Sequence, residues 1–143
     1  MVRHGPLRLR LRLRLADLSR LFDEHSFWAQ GRSRQELRRM LVGSQVVISA
    51  WQDGVLVGFG RASSDGVFRG VLWDVVVAEP LRGRGLGRRL VSALLASPAL
   101  RRCERVYLMT TSSSGFYRRL GFCPDHGQHL LVWRRDPGNK TSG

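Results

Sequence analysis

The segment Arg82-Gly83-Arg84-Gly85-Leu86-Gly87 carries the residue types that cradle a pyrophosphate. Glycines at alternate positions lack Cβ, so the backbone can take positive φ and turn several N–H groups toward one anion. An amphipathic helix pattern follows, and its unpaired N-terminal donors and dipole add to the same attraction. Spacing excludes two common phosphate loops. A Walker loop needs Lys and then Ser or Thr after its last glycine, whereas Gly87 is followed by Arg88 and Arg89. The dinucleotide fingerprint needs a glycine three places after its second, where this chain has Arg88. Two further side chains could do chemistry. Tyr117 lies in Gly115-Phe116-Tyr117-Arg118-Arg119-Leu120-Gly121-Phe122, where packing accounts for Phe116, Leu120 and Phe122 but not for a phenol. Asp74 is a carboxylate between Trp73 and Val75; in such surroundings its pKa is expected to rise, which would suit a base acting through water. The alternative for Asp74 is a structural hydrogen-bond acceptor.

The elements that must position these groups can be read from periodicity and punctuation. Leu7 to Leu15 alternates Leu and Arg, which places all leucines on one face of a first, half-buried edge strand. An Arg-rich transit segment is the rival reading, but serine is lacking and the period is two. Helices are expected over Asp17 to His25 and over Arg34 to Val42, the second capped by Ser33 and ended by Gly43. Between them Ser26 to Arg32 is irregular and holds Phe27 and Trp28. Strands at Gln45 to Trp51 and Val55 to Ala62 flank the hairpin turn Gln52-Asp53-Gly54. Val67 to Val77 reads as a strand ended near Glu79-Pro80, Leu86 to Ala96 as a helix, and Arg105 to Thr110 as a strand. Ser113 to Leu120 reads as a helix and His129 to Arg134 as a final strand. The order β-α-α-β-β-β-α-β-α-β implies an α/β (α+β) fold, a mixed sheet with helices on both faces. One domain is expected over 7–135, between a frayed end at 1–6 and a polar tail at 136–143.

Composition narrows the class. The chain of 143 residues carries a net charge of +13, and of its 24 basic residues only Lys140 is a lysine. The arginines are scattered rather than gathered on one element with interleaved aromatics, which argues for solvated faces over a nucleic-acid surface. No stretch approaches the apolar length of a membrane span. Cys103 and Cys123 are too few for a disulfide framework, so a reducing cytoplasm is the expected setting. His126 and His129 lack a third ligand, and no metal is expected.

Arg82, Gly85 and Gly87 fit the pattern Gln/Arg-x-x-Gly-x-Gly/Ala, and the segment resembles the acetyl-CoA loop of the GNAT N-acetyltransferase superfamily. Phe116-Tyr117-Arg118-Arg119-Leu120-Gly121-Phe122 is similar to a second signature of that superfamily, in register downstream. Arg61 to Phe68, followed by Leu72 to Val77, resembles the cyanobacterial and plastid branch, which is described as acting on serotonin and other arylalkylamines and on protein lysine and N-terminal amines. The likeness runs from about Leu18 to Trp133. Arg82 and Arg84 stand where plastid members tend to carry glutamine. Thr110 to Gly115 is shorter than its counterpart and lacks the Asp or Asn common there.

The resemblance implies direct acetyl transfer from acetyl-CoA, with no metal, to a small-molecule or protein amine, and makes a homodimer plausible. Such a reaction needs a neutral amine, although a lysine-like amine with pKa about 10.4 is almost wholly protonated near neutrality. It also needs donors for the developing oxyanion and a proton for the departing thiolate. The resemblance assigns the pyrophosphate to Arg82, Gly83, Arg84, Gly85, Leu86, Gly87 and Arg88, and pantetheine and the acetyl oxygen to the backbone of Val75, Val76 and Val77. Phe116 and Tyr117 complete the cosubstrate side, with Tyr117 as general acid. Phe27, Trp28 and Trp73 are candidates for an aromatic amine wall. Two other classes stay open: a non-catalytic acyl-CoA-binding module and a basic RNA-associated protein.

Overall fold

The computed structural model describes residues 2–4, by backbone alone, and 13–135. Two compact units divide at Met109 and Thr110. The first holds a five-stranded sheet of order β1-β2-β3-β4-β5, formed by Val2–His4, Val46–Gln52, Val55–Ser64, Arg69–Val77 and Arg105–Tyr107. The first four strands pair antiparallel in sequence, and β5 joins β4 in parallel. The helices are α1 at Leu15–His25, α2 at Arg34–Val42 and α3 at Leu86–Ala96.

Local chemistry accounts for several boundaries. Ser33 accepts from the Glu36 N–H while the Glu36 carboxylate accepts from the Ser33 N–H, a reciprocal cap at the start of α2. Asp53 and Gly54 take φ of 50° and 77°, the left-handed pair that a two-residue hairpin turn requires. The β3–β4 turn is built on one carboxylate, since Asp65 Oδ1 accepts the N–H groups of Val67, Phe68 and Arg69.

The two faces of the sheet bury different helices. Phe59 meets Phe22 of α1 edge to face at 5.3 Å, within a core shared by Leu18, Leu21, Leu37, Leu41 and Val76. Its neighbours Gly58 and Gly60 point the other way. A Cβ on Gly60 would lie 2.9 Å from Leu94 Cδ1, and one on Gly58 3.0 Å from Leu90 Cδ1, so α3 packs directly on bare β3 backbone.

The ends differ from the sequence reading. The first strand is Val2–His4, upstream of the expected Leu7 to Leu15. Of that alternating run, 7–12 lies outside the described residues, Leu13 is a buried bend, and Leu15 opens α1. Helix entry wins at Leu15 because Leu18, Leu21 and Phe22 continue an apolar stripe of helical period into the core.

The second unit carries α4, Ser114–Arg119, whose end is followed by Gly121 at φ 102°. The strand expected over His129 to Arg134 does not form. Leu130 to Trp133 is exposed and, among the described residues, pairs with no strand, and an extended run without a ladder partner has nothing to hold it as a strand.

Candidate active site

Two features of β4 shape the site. Pairing with β3 runs Phe59↔Val76 and then Arg61↔Trp73, so Asp74 and Val75 together oppose Gly60. This is a β-bulge, and Asp74 sits in it at φ 52°, a left-handed conformation that Asp tolerates better than most residues. On the other edge, β5 pairs only with Arg69, Gly70 and Val71. From Leu72 to Val77 that edge of β4 has no ladder partner among the described residues. The backbone of Val75, Val76 and Val77 belongs to this stretch, where the Val76 side chain is buried and those of Val75 and Val77 are half-buried.

Chain leaving this strand enters the glycine-rich loop. Gly83 and Gly85 take φ of 81° and 84°, and a Cβ on either would meet no atom within 4 Å. Glycine is required here for backbone handedness, not for packing. Gly85 is the N-cap of α3, no side chain caps that terminus, and its first turn holds no acid. The N–H groups of Leu86, Gly87 and Arg88 thus begin the helix without intrahelical partners, flanked by the exposed Arg84, Arg88 and Arg89. Such a terminus fits a pyrophosphate on the donor chemistry alone. Arg82, expected at the phosphate, is bonded within the chain. Its Nε donates to the Val77 carbonyl at 3.1 Å and its Nη2 to the His25 carbonyl at 2.7 Å, so it braces the loop against β4 and α1.

The expected aromatic residues are sorted by their partners. Phe27 and Trp28 are exposed, stack edge to face at 5.1 Å, and belong to a connection pinned by its own bonds. Ala29 N–H donates to Ser26 Oγ, Gly31 N–H to Asp23 Oδ1, and Ala29 is buried beneath them. Trp73 is half-buried, donates from Nε1 to Ser63 Oγ, and lies under the Arg61 guanidinium.

Asp74 departs from the raised pKa expected for it. Burial does push the carboxyl upward, but hydrogen bonds from Arg32 and Arg61 and their charges outweigh it, and the net direction is down. Its side chain is 5% exposed. Trp28 Nε1 donates to Oδ1 at 2.9 Å, Arg32 grips both oxygens at 2.9 and 3.2 Å, and Arg61 Nε donates to Oδ2 at 2.8 Å. That is the geometry of a structural acceptor, the second of the two roles open to it. Arg32 and Arg61 were not legible as site residues, because only the bulge brings their partner to them.

In the second unit, Tyr117 is flanked edge to face by Phe116 at 4.9 Å and Phe122 at 5.7 Å. Burial raises its pKa above the ordinary tyrosine value, which keeps the phenol protonated at neutral pH. Among the described residues no group of three or more His, Cys, Asp or Glu is placed to hold a metal, and no helix is long and apolar enough to cross a membrane.

A parallel strand pair three residues long, followed by an unpaired stretch of β4 and an uncapped helix N-terminus behind two left-handed glycines, is an arrangement compatible with an acyl-CoA-dependent acyltransferase. Residues 13–122 match the Acetyltransferase (GNAT) family, and the chain belongs to it. The chain is 39% identical to chloroplastic serotonin N-acetyltransferase 2 of Oryza sativa subsp. japonica over 99 residues, 66% of this chain and 50% of the rice protein. It therefore spans about half the length of that relative. It is 30% identical to the N-acetyltransferase ycf52 of Pyropia yezoensis over 127 residues, 85% of this chain and 72% of that one. A GNAT-family acetyltransferase structure from Xanthomonas campestris pv. campestris superposes with a TM-score of 0.78 at 29% identity, covering 96% of this chain and 95% of the other. The chain thus carries the GNAT acetyltransferase domain, and solved members of the family share its fold.

Proposed function

We propose that this acetyltransferase acts on arylalkylamines of the serotonin and tryptamine type by direct transfer. The observation that carries the acceptor class is the Phe27–Trp28 pair, two large aromatic side chains left exposed yet held in a fixed connection beside the β4 bulge. A flat indole gains from edge-to-face contact with such a pair beyond the area it buries. The likeness to the rice serotonin N-acetyltransferase supports the same acceptor class.

In this reading the N–H groups of Gly83 to Arg88 bind the pyrophosphate, with Arg84 and Arg88 supplying charge. Backbone N–H groups along Val75 to Val77 receive pantetheine and the acetyl oxygen, where negative charge builds as the amine attacks. Tyr117, protonated at neutral pH, gives its proton to the thiolate that leaves, with Phe116 fixing the ring. The free thiols of Cys103 and Cys123 suit a reducing compartment such as the cytoplasm.

A protein lysine or N-terminal amine is the second reading, because an aromatic pair open to solvent can also receive a chain that protrudes from a larger partner. The test is acetyl-CoA-dependent thiol release with serotonin, tryptamine, a lysine peptide and a free N-terminal peptide. A higher kcat/KM with the indoles supports the proposal. Turnover with the peptides alone replaces it with the second reading, and acetyl-CoA binding without turnover of any amine leaves only a binding module.

A further inference from the structure

We propose that Asp74 is a positioning residue for the acceptor: it bolts the α1–α2 connection to the β4 bulge and so sets the pose of Phe27 and Trp28. The inference rests on the reading that this aromatic pair forms the acceptor wall.

Three elements converge on the one carboxylate. Trp28 and Arg32 reach it from the connection, Arg61 from β3, and Asp74 itself comes from β4. A carboxylate offers about four lone-pair sites in good directions. The four hydrogen bonds just named fill them, so no site remains for a catalytic water or for the proton of an amine. The two arginines are constrained from their other sides as well. Arg32 lies over the Phe22 ring at 5.4 Å and touches Met40 Sδ from Nη1, while Arg61 lies over the Trp73 ring at 5.8 Å and reaches Ser44 Oγ. Trp28 differs from the arginines in that its ring is half in solvent and only its N–H is tethered. The bond from Nε1 therefore fixes the ring plane, and the edge-to-face contact passes that orientation to Phe27. The bulge is what aims the carboxylate, since φ of 52° turns Asp74 out of the alternation its neighbours follow. Two cations share one anion here, so loss of the carboxylate would leave two partly buried guanidinium groups facing each other.

Asp74→Asn tests the bolt, and Trp28→Phe, which keeps a ring and removes one donor at an exposed position, serves if the first variant is too unstable. Three properties are measured on the full chain: amide hydrogen exchange of residues 26–32 against β2 and β3, acetyl-CoA affinity by calorimetry, and steady-state kinetics with tryptamine across pH. Faster exchange confined to 26–32 is expected, with acetyl-CoA affinity unchanged. The KM for tryptamine should rise about ten- to a hundredfold, the loss that a displacement of about 1 Å can bring, and the kcat–pH profile should keep its shape. Unchanged exchange over 26–32 overturns the proposal. So does faster exchange spread through β2 and β3, which would make Asp74 a general support of the sheet. Collapse of kcat with loss of an ionisation from the profile also overturns it, by making Asp74 the base. Should the wild type turn over no arylalkylamine, the substrate reading falls, and the exchange result alone decides whether Asp74 holds the connection.

Discussion

The Arg82 guanidinium donates to the His25 carbonyl oxygen at 2.7 Å, which joins the end of α1 to the start of the glycine-rich loop. His25 completes the clasp with its ring, since Nδ1 accepts the Glu79 N–H at 3.0 Å. The α1–α2 connection and the glycine-rich loop thus leave from one hydrogen-bonded corner. Arg82→Ala should release the loop without touching the donors on α3. The KM for acetyl-CoA is expected to rise roughly three- to tenfold, about 1 kcal/mol for exposed charge-assisted bonds, with kcat at saturation little changed. Equal affinity in the variant, measured by calorimetry, would remove the bracing role.

Tyr117→Phe separates the proposed general-acid role of the phenol from its packing. Both rings fill the space between Phe116 and Phe122, so stability should hold while kcat falls about 10²- to 10⁴-fold. Because burial raises the phenol pKa, the wild-type kcat should persist to high pH and decline only as pH climbs past the ordinary tyrosine value of about 10. The sign follows from the role, since the protonated form is the active one and is lost as pH rises through a raised pKa. A Phe variant with wild-type kcat, or with the same alkaline decline, would show that some other group delivers the proton.

Much of this architecture was legible wherever a local rule acts alone. Ser33 with Glu36 announces α2, Asp53-Gly54 announces the hairpin, and alternate glycines followed by an apolar helical stripe announce the loop and α3. What stayed hidden depends on pairing between distant residues. Asp74 and Val75 look like two more positions of a regular strand, and only the register against Gly60 makes them a bulge. A lone carboxylate among apolar neighbours then suggests a raised pKa, whereas arginines 42 and 13 positions away in sequence reverse the sign. His129 to Arg134 fails for the matching reason, because β propensity marks a segment that could pair and says nothing of a partner.

Close approach at Gly60 carries its own prediction. An alanine there would bring Cβ within 2.9 Å of Leu94 Cδ1, and Leu94 is fully buried, so the methyl has nowhere to go unless α3 shifts. Gly60→Ala should destabilise by about 1–3 kcal/mol through overpacking. Leu94→Ala alone should cost about 2–5 kcal/mol through the cavity it leaves. Since each variant relieves the other's defect, the double variant should be more stable than the sum by more than about 0.5 kcal/mol. Strict additivity in urea unfolding would mean that α3 does not rest on this stretch of β3.

The β3–β4 turn should give the protein an acid-labile increment of stability. Asp65 is fully exposed, and its pKa is lowered chiefly by the N–H groups of Val67, Phe68 and Arg69, with the Arg69 charge a smaller aid. A carboxyl whose folded pKa lies below its unfolded value of about 3.9 stabilises the fold above that value and loses the contribution as pH falls through the folded pKa. Asp65→Asn keeps an acceptor oxygen but not the charge. Denaturation midpoints for wild type and variant should therefore differ at about pH 7, and the gap should narrow as pH falls through the folded pKa of Asp65. Asp74 also titrates in this acid range, but it is present in both proteins and cancels in the difference. A gap that persists undiminished at low pH would place the contribution of Asp65 in the shape of the turn instead of in its charge.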